Sequence, residues 1–246
     1  MRQTMHLTAQ YLATAAISFI EKKADDSHTN LGWTNHNLVT HPFPNGDKLG
    51  LNYENFSLEW IAQNGNKEHF LLDGKTHKDI VYWISLTSIN NGITKPYSYN
   101  LHYEIPNNII ENSYQFQLAQ QNELSQLIKN RDLALDVISN VLQSNNYKSP
   151  IRIWPHHFDT GAFFYINENL SIGIGMAMPD TLINDFYFYI SGYNGHDSVD
   201  IINPTSHKNY YGDSWKGFAL SIKNLNKEAA IDFCKTAINT YKKSIK

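Results

Sequence analysis

Two histidines and an aspartate stand close together in residues 154–161, which read Trp-Pro-His-His-Phe-Asp-Thr-Gly. They come at the start of an otherwise apolar, strand-like run, where imidazole and carboxylate groups are costly to bury. An imidazole beside a carboxylate can be a general base with its orienting acid, part of a metal site, or a hydrogen-bonded structural pair. The residue types and their spacing leave these three roles open.

Alternation along an extended chain gives this segment a polar face. A strand that starts at His156 places His157 and Asp159 on the same side. The next predicted strand has one apolar face and one face that is almost bare of side chains. That bare face includes Gly173 and Gly175.

Tyrosines follow on the third predicted strand of this region, where Tyr187 and Tyr189 face away from the apolar side. If the three polar faces coincide in one sheet, they form a trough that is floored by glycines and walled by tyrosines. A recess with a few convergent polar groups is typical of a site for a small polar ligand. The same pattern also fits tyrosine rings that lie across the glycines and fill the space. The ligand-binding residues expected for this trough are Trp154, His157, Asp159, Gly173, Gly175, Tyr187 and Tyr189.

A second polar segment, residues 25–30, joins the first predicted helix to the first strand and reads Asp-Asp-Ser-His-Thr-Asn. This composition is typical of a helix exit with side-chain-stabilised turns. The functional alternative is a loop that supplies Asp26 and His28 as metal ligands. A divalent ion held by His157 and Asp159, with help from that loop, would activate a water molecule for hydrolysis. In such a metal-assisted hydrolase, His157 and Asp159 are the candidate catalytic residues.

Composition limits the class of protein and its partners. The 246 residues are 41% hydrophobic and 17% charged, with one cysteine and a net charge of -3. A chain of this length builds a full core without disulfides, and its charge creates no field that would collect nucleic acid. No segment approaches the roughly 20 apolar residues of a membrane span. We therefore expect a cytoplasmic protein that binds neither nucleic acid nor membrane.

Tyrosine is abundant in the chain, with 15 residues. Because tyrosine is enriched at protein interfaces, a protein-interaction or assembly module is a third functional class, and a homo-oligomer is one form of it. The three classes are therefore a small-ligand binder, a metal-assisted hydrolase and an interaction module.

Hydrophobic periodicity predicts an α+β protein with mainly antiparallel sheets flanked by three or four helices. Helices are predicted over about 5–23, 77–90, 124–142 and 227–241. Strands are predicted over 31–40, 48–53, 56–62, 69–72, 97–105, 151–166, 170–178, 186–193 and 215–222. No long linker is present, so we expect a single compact unit over 1–246. Its halves, 1–106 and 107–246, share the order β-β-β-β-α, as a pseudo-repeat would.

Four short motifs give the chain a family resemblance. They are the acidic-histidine link into Leu31-Gly32-Trp33, the 101–106 run Leu-His-Tyr-Glu-Ile-Pro, the Trp-Pro-x-His-Phe-Asp motif at 154–159, and the strand that ends Met176-Ala177-Met178. With these motifs the chain resembles a family of uncharacterised bacterial proteins over nearly its whole length. The resemblance implies one coherent protein rather than two unrelated domains. It implies no activity, cofactor or catalytic residue.

Overall fold

The computed structural model describes residues 1–105, 110–111, 113–118, 121–213 and 215–245. Contacts divide the chain into two compact units. The first unit comprises Met1–Lys129 and Ile153–His156, and the second comprises Asn130–Arg152 and His157–Lys246. The expectation of one unit over 1–246 stays a prediction. The boundary expected between residues 106 and 107 lies outside the described residues.

The α+β prediction is confirmed. The described residues form four α-helices and two mainly antiparallel sheets of five and seven strands. Among these residues, no helix is long and apolar enough to cross a membrane.

The first unit contains a meander of five strands and two complete helices. In chain order its elements are α1 (Arg2–Phe19), β1 (Gly32–Thr34), β2 (Asn37–Val39), β3 (Lys48–Asn52), β4 (Ser57–Ile61), β5 (Lys67–Leu71) and α2 (His77–Asn90). The strands pair antiparallel in the order β1-β2-β3-β4-β5. Helix α1 packs on β3, and it is buried continuously from Met5 to Ala16. This deep burial explains why polar side chains of α1 must find partners inside the unit.

Helix α2 begins and ends where the sequence predicts. The Thr76 hydroxyl accepts a hydrogen bond from the Asp79 backbone N–H, and the Asp79 carboxylate accepts one from the Thr76 N–H. This capping box satisfies two backbone donors at the start of the helix. At the other end, Gly92 adopts a left-handed conformation with φ of +80°.

Two predicted strands are wrong, and a third, 151–166, divides into strands at Arg152–Ile153 and Thr160–Asn167. The run 31–40 is a hairpin of two short strands, because Asn35 and His36 both adopt left-handed φ values of 46° and 59° between them. The run 97–105 forms no strand, although its residues alternate. Two of its tyrosines instead form separate hydrogen bonds with side chains of α1. Tyr97 Oη lies 2.8 Å from Thr14 Oγ1, and Tyr103 Oη donates to Gln10 Oε1 at 2.7 Å.

The second unit is a sheet with helices on one face. Helix α3 (Gln121–Ser144) begins in the first unit and continues into the second, and strand β6 (Arg152–Ile153) has its last residue in the first unit. The other elements of the second unit are β7 (Thr160–Asn167), β8 (Leu170–Ala177), β9 (Tyr187–Asn194), β10 (Asp197–Ser198), β11 (Tyr210–Tyr211), β12 (Gly217–Ser221) and α4 (Lys227–Ser244). The strand order is β11-β12-β9-β8-β7-β6, with β10 paired to β9. Apolar side chains of β7, β8, β9 and β12 form one buried cluster with α3 and α4. The opposite face of this sheet carries the glycines and tyrosines.

Candidate functional site

The strand register brings glycines and tyrosines together on the face of the second sheet that is opposite the helices. Gly175 of β8 lies opposite Gly161 of β7 on one side and opposite Tyr189 of β9 on the other. Gly173 pairs with Ser191, and Tyr187 pairs with Ala177. Because side chains alternate across a sheet, this whole face is turned away from the apolar cluster.

The Tyr189 ring lies directly over Gly175. A Cβ atom on this glycine would be 2.5 Å from both Cζ and Oη of Tyr189. A Cβ on Gly161 would be 3.0 Å from the same Oη. The ring therefore occupies the floor of the predicted trough, which is the space-filling alternative that the sequence left open. Gly173 is covered differently, by the Ser191 hydroxyl and the Tyr193 ring.

The Tyr189 hydroxyl ends at Asp159. It donates a hydrogen bond of 2.5 Å to Oδ2 of this carboxylate. Asp159 is only 9% exposed, and its second oxygen, Oδ1, is buried without a hydrogen-bond partner among the described residues. Burial and the negative charge of Asp159 both raise the pKa of Tyr189, so the phenol keeps its proton and remains the donor. The Asp159 carboxylate therefore has one oxygen that accepts a hydrogen bond and one buried oxygen that accepts none from the described residues.

Tyr187 makes a similar bond to a different acid. Its hydroxyl donates to Oδ2 of Asp180 at 2.7 Å. Asp180 is exposed, whereas Asp159 is buried. Burial is the main reason why the pKa of Tyr187 is raised. The hydrogen bond to Asp180 and the charges of Asp180 and Asp159 raise this pKa further.

Arg131 of α3 bonds the residues on both sides of Asp159. One guanidinium nitrogen donates to Thr160 Oγ1 at 2.6 Å and the other donates to the Phe158 carbonyl at 2.8 Å. The guanidinium also stacks 4.4 Å from the centre of the Phe158 ring. Because residues 158 and 160 are held from the helix side, the Asp159 side chain is directed to the tyrosine face. Sequence reasoning missed this arginine; the available signal was its position within the apolar stripe of α3.

His157 and Asp159 do not share one environment. Phe158 between them has a left-handed φ of 59°, and regular strand β7 starts only at Thr160. Alternation therefore does not extend back to His157, which is exposed while Asp159 is buried. The expectation that they point the same way along a strand does not hold.

The first half of the motif belongs to the first unit and is held by α1. The Pro155 carbonyl accepts hydrogen bonds from His6 Nε2 at 2.8 Å and from Gln10 Nε2 at 2.9 Å. Ile153 next to it forms an antiparallel bridge with Leu31. Trp154 packs edge-on near His156, with 6.0 Å between ring centres. His6 and Gln10 were not predicted, although two polar residues inside an apolar helical stripe could have indicated them.

Asp26 pairs with a histidine from the 101–105 segment. Its Oδ2 lies 3.0 Å from Nε2 of His102, while its Oδ1 is buried without a partner in the described part of the chain. Asp26 has a left-handed φ of 54°. His28 is 2% exposed, and burial lowers the pKa of its imidazole. Asp26 and His28, predicted together from sequence, do lie in one neighbourhood, because the charge of Asp26 acts on His28.

Metal ligation gains no support from the geometry. Within the described ranges, no group of three or more His, Cys, Asp or Glu side chains is arranged to hold a metal ion. The ligand roles of Asp26, His28, His157 and Asp159 stay a prediction.

Comparison with known proteins finds no relative. No family model, curated protein or solved structure matches the chain.

Proposed function

We propose that the protein binds a small polar ligand that donates an N–H or O–H hydrogen bond to Oδ1 of Asp159. The observation that carries the proposal is the unpartnered state of this oxygen in a side chain that is only 9% exposed. A buried acceptor without a partner costs about 1–3 kcal/mol, and more when it is charged. A ligand that supplies the missing donor removes this cost, which becomes part of its binding free energy.

The ligand reaches Oδ1 only after a side chain moves, because this atom has essentially no accessible surface. Tyr189 is the side chain best placed to move. Its ring lies over Gly161 and Gly175, which present no side chains to interlock with it. On its other side the ring meets Trp215 edge-on, with 6.4 Å between centres. A swing of the Tyr189 ring opens the trough without unpacking the apolar cluster, but it breaks the hydrogen bond to Asp159 Oδ2, which the ligand must then replace as well.

Charge limits the chemistry of the ligand. An ionised carboxylate accepts hydrogen bonds and cannot donate them. The charges of Asp159 and Asp180 both act on Tyr187, so the negative field extends across this face. We therefore expect a neutral or cationic donor, such as an ammonium, amide or alcohol group, and we expect anionic compounds to be rejected.

A thermal unfolding series tests this function. Methylammonium, acetamide and ethylene glycol serve as donor probes, with acetate as the anionic counter-probe. The variants are Asp159→Asn, which replaces one acceptor oxygen by a donor, and Tyr165→Phe, a control on the same face of the sheet at a residue that is 75% exposed. A probe at a hundred times its dissociation constant should stabilise the wild type by about 2.7 kcal/mol.

We expect that stabilisation in the wild type and in Tyr165→Phe, and its loss in Asp159→Asn. The proposal fails if none of the three donor probes stabilises the wild type. It also fails if a donor probe stabilises Asp159→Asn as strongly as the wild type.

We further propose that the protein acts in the cytoplasm and belongs with the bacterial proteins whose motifs it shares. The lone and buried Cys234 supports a reducing compartment. The metal-assisted hydrolase and the interaction module stay predictions.

A further inference from the structure

His102 and Asp26 form a hydrogen-bonded pair in which the imidazole donates to the carboxylate, as in a histidine–aspartate catalytic dyad. Because a carboxylate only accepts, the Nε2 atom of His102 donates its proton to Oδ2 of Asp26 across 3.0 Å. In the neutral imidazole this leaves Nδ1 unprotonated. Nδ1 makes no hydrogen bond to any described residue, and the His102 side chain is 38% exposed. The imidazole therefore offers solvent a nitrogen that can accept a proton.

Two segments that are distant in sequence form this pair, and a third lies next to it through Tyr103. Asp26 comes from the link after α1, His102 and Tyr103 come from the 97–105 run, and His156 comes from the Trp-Pro-x-His-Phe-Asp motif. Ring centres of His102 and Tyr103 are 5.1 Å apart, and those of Tyr103 and His156 are 5.3 Å apart. Trp154 continues this aromatic row. The dyad is thus bordered by a row of aromatic rings, which we call the aromatic wall.

Helix α1 holds the aromatic wall in place through hydrogen bonds. Tyr103 donates to Gln10 Oε1, and the same Gln10 side chain donates to the Pro155 carbonyl. One α1 residue therefore positions both the tyrosine and the motif. Such support by hydrogen-bonded neighbours is what fixes the orientation of groups in reactive sites.

Asp26 lies in a turn, where its N–H donates to the Lys23 carbonyl and its own carbonyl accepts from the Thr29 N–H. Its φ of 54° lies in the left-handed region, which costs free energy for residues other than glycine. Its Oδ1 is buried without a partner among the described residues, so the second oxygen is not used to anchor the loop. The neighbouring His28 is nearly buried, and both Asp26 and His102 act electrostatically on it.

We propose that His102, oriented by Asp26, is a general base for the hydrolysis of a small ester held against Tyr103 and His156. This inference is independent of the ligand proposed for Asp159. It assigns a catalytic role to His102 and a positioning role to Asp26, with water as the nucleophile.

The step balances with water as its only co-reactant. Nδ1 of His102 takes one proton from water while the water oxygen forms a bond to the carbonyl carbon, and the carbonyl electron pair moves to its oxygen. When that pair returns, the bond to the leaving alcohol oxygen breaks, and this oxygen takes the proton from Nδ1. The products are an acid and an alcohol, and the imidazole is again neutral. The Asp26 carboxylate stabilises the transient imidazolium.

Hydrolysis of 4-nitrophenyl acetate by the full-length chain tests the proposal. Asp26→Asn is a suitable variant, because asparagine tolerates a left-handed φ and keeps the side-chain shape. His102→Gln removes the base. His36→Gln is the matched control, since His36 Nδ1 pairs with Glu54 Oε1 at 2.9 Å and is 39% exposed but lies outside this cluster. Thermal unfolding of each variant checks that it is folded.

We expect wild type to exceed the buffer reaction and His102→Gln to fall to the buffer rate. A general base typically contributes about 10²–10⁴-fold, so a loss of at least about 100-fold is expected. Asp26→Asn should lose about tenfold or more as the orienting charge disappears, and His36→Gln should remain within about twofold. A wild type no faster than buffer overturns the proposal. An unchanged rate in folded His102→Gln, or in folded Asp26→Asn, overturns it as well.

Discussion

Asp26 in the first unit and Asp159 in the second have the same hydrogen-bond arrangement but different partners. Each uses Oδ2 in one hydrogen bond and keeps Oδ1 buried without a partner in the described residues. Asp26 orients a histidine, whereas Asp159 accepts from a tyrosine. Because burial and the adjacent carboxylate raise the pKa of Tyr189, that phenol cannot release its proton at neutral pH. The partner therefore decides whether the carboxylate supports binding or proton transfer.

Burial separates the two pairs energetically. Asp159 is 9% exposed, while the Asp26 side chain is 41% exposed. A hydrogen bond to a charged group inside a protein contributes about 1.5–3 kcal/mol, but an exposed ion pair contributes about 0–1 kcal/mol. Mutations of the Tyr189–Asp159 pair should therefore reduce the free energy of unfolding strongly. Mutations of the His102–Asp26 pair should hardly change it.

The largest effect is expected for Gly175→Ala. The new Cβ would lie 2.5 Å from the Tyr189 ring, so the ring must leave its place and lose its bond to Asp159. Overpacking and the lost hydrogen bond together should destabilise the protein by about 3 kcal/mol in urea unfolding. Gly173→Ala is the control, because its closest contact is the Ser191 hydroxyl at 3.0 Å. Equal losses in both variants would mean that the Tyr189 ring is not what fills this position.

Tyr189→Phe should have the next largest effect. It keeps the ring and leaves both Asp159 oxygens without a donor among the described residues. We expect a loss of about 2 kcal/mol in the free energy of unfolding. Tyr187→Phe removes a bond to the exposed Asp180 and should cost less than about 1 kcal/mol. If the two variants cost the same, burial of Asp159 is not the decisive difference.

His102→Gln should change stability by less than about 1 kcal/mol, because the pair with Asp26 is partly exposed. Its loss of activity would then be separable from any loss of structure. Urea unfolding beside the Tyr189→Phe variant makes the comparison. A His102→Gln loss as large as that of Tyr189→Phe would show that the first pair is structural too.

The smallest effect is a pH dependence at His28. Burial lowers the pKa of its imidazole in the folded state below the unfolded value of about 6.5. Above that value neither state binds the proton, and the full stability is present. As the pH falls below it, the unfolded state binds more protons than the folded state, so stability is lost. Wild type should therefore lose more stability than His28→Gln between pH 7.5 and 5.5 in urea unfolding, and parallel losses would contradict this assignment.

Alternation and capping rules predicted much of the fold. The apolar faces of β8 and β9, the Thr76 cap and the facing of glycines by tyrosines follow from residue types and spacing. Backbone conformations of ordinary residues do not. Nothing in the residue types around Phe158 signals its left-handed φ, which ends the alternation before His157.

The Asp26–His102 pair could not be predicted from sequence patterns, for a different reason. Asp26 and His102 are 76 residues apart, and the tyrosines at 97–103 alternate as in a strand although they pack singly on α1. Which distant side chains meet depends on tertiary packing, which a single sequence does not encode in its local spacing. Asp159 was predicted as a site residue, whereas Arg131, which bonds its neighbours Phe158 and Thr160, could be recognised only as a charge in an apolar stripe.

The most direct test is a crystal structure of the full-length chain with the donor probe that stabilises it most. We predict a nitrogen or oxygen of that probe within hydrogen-bond distance of Asp159 Oδ1, about 2.7–3.2 Å, with the Tyr189 ring displaced from Gly175. A probe bound elsewhere, with Oδ1 accepting a hydrogen bond from the protein itself, would contradict the proposed function.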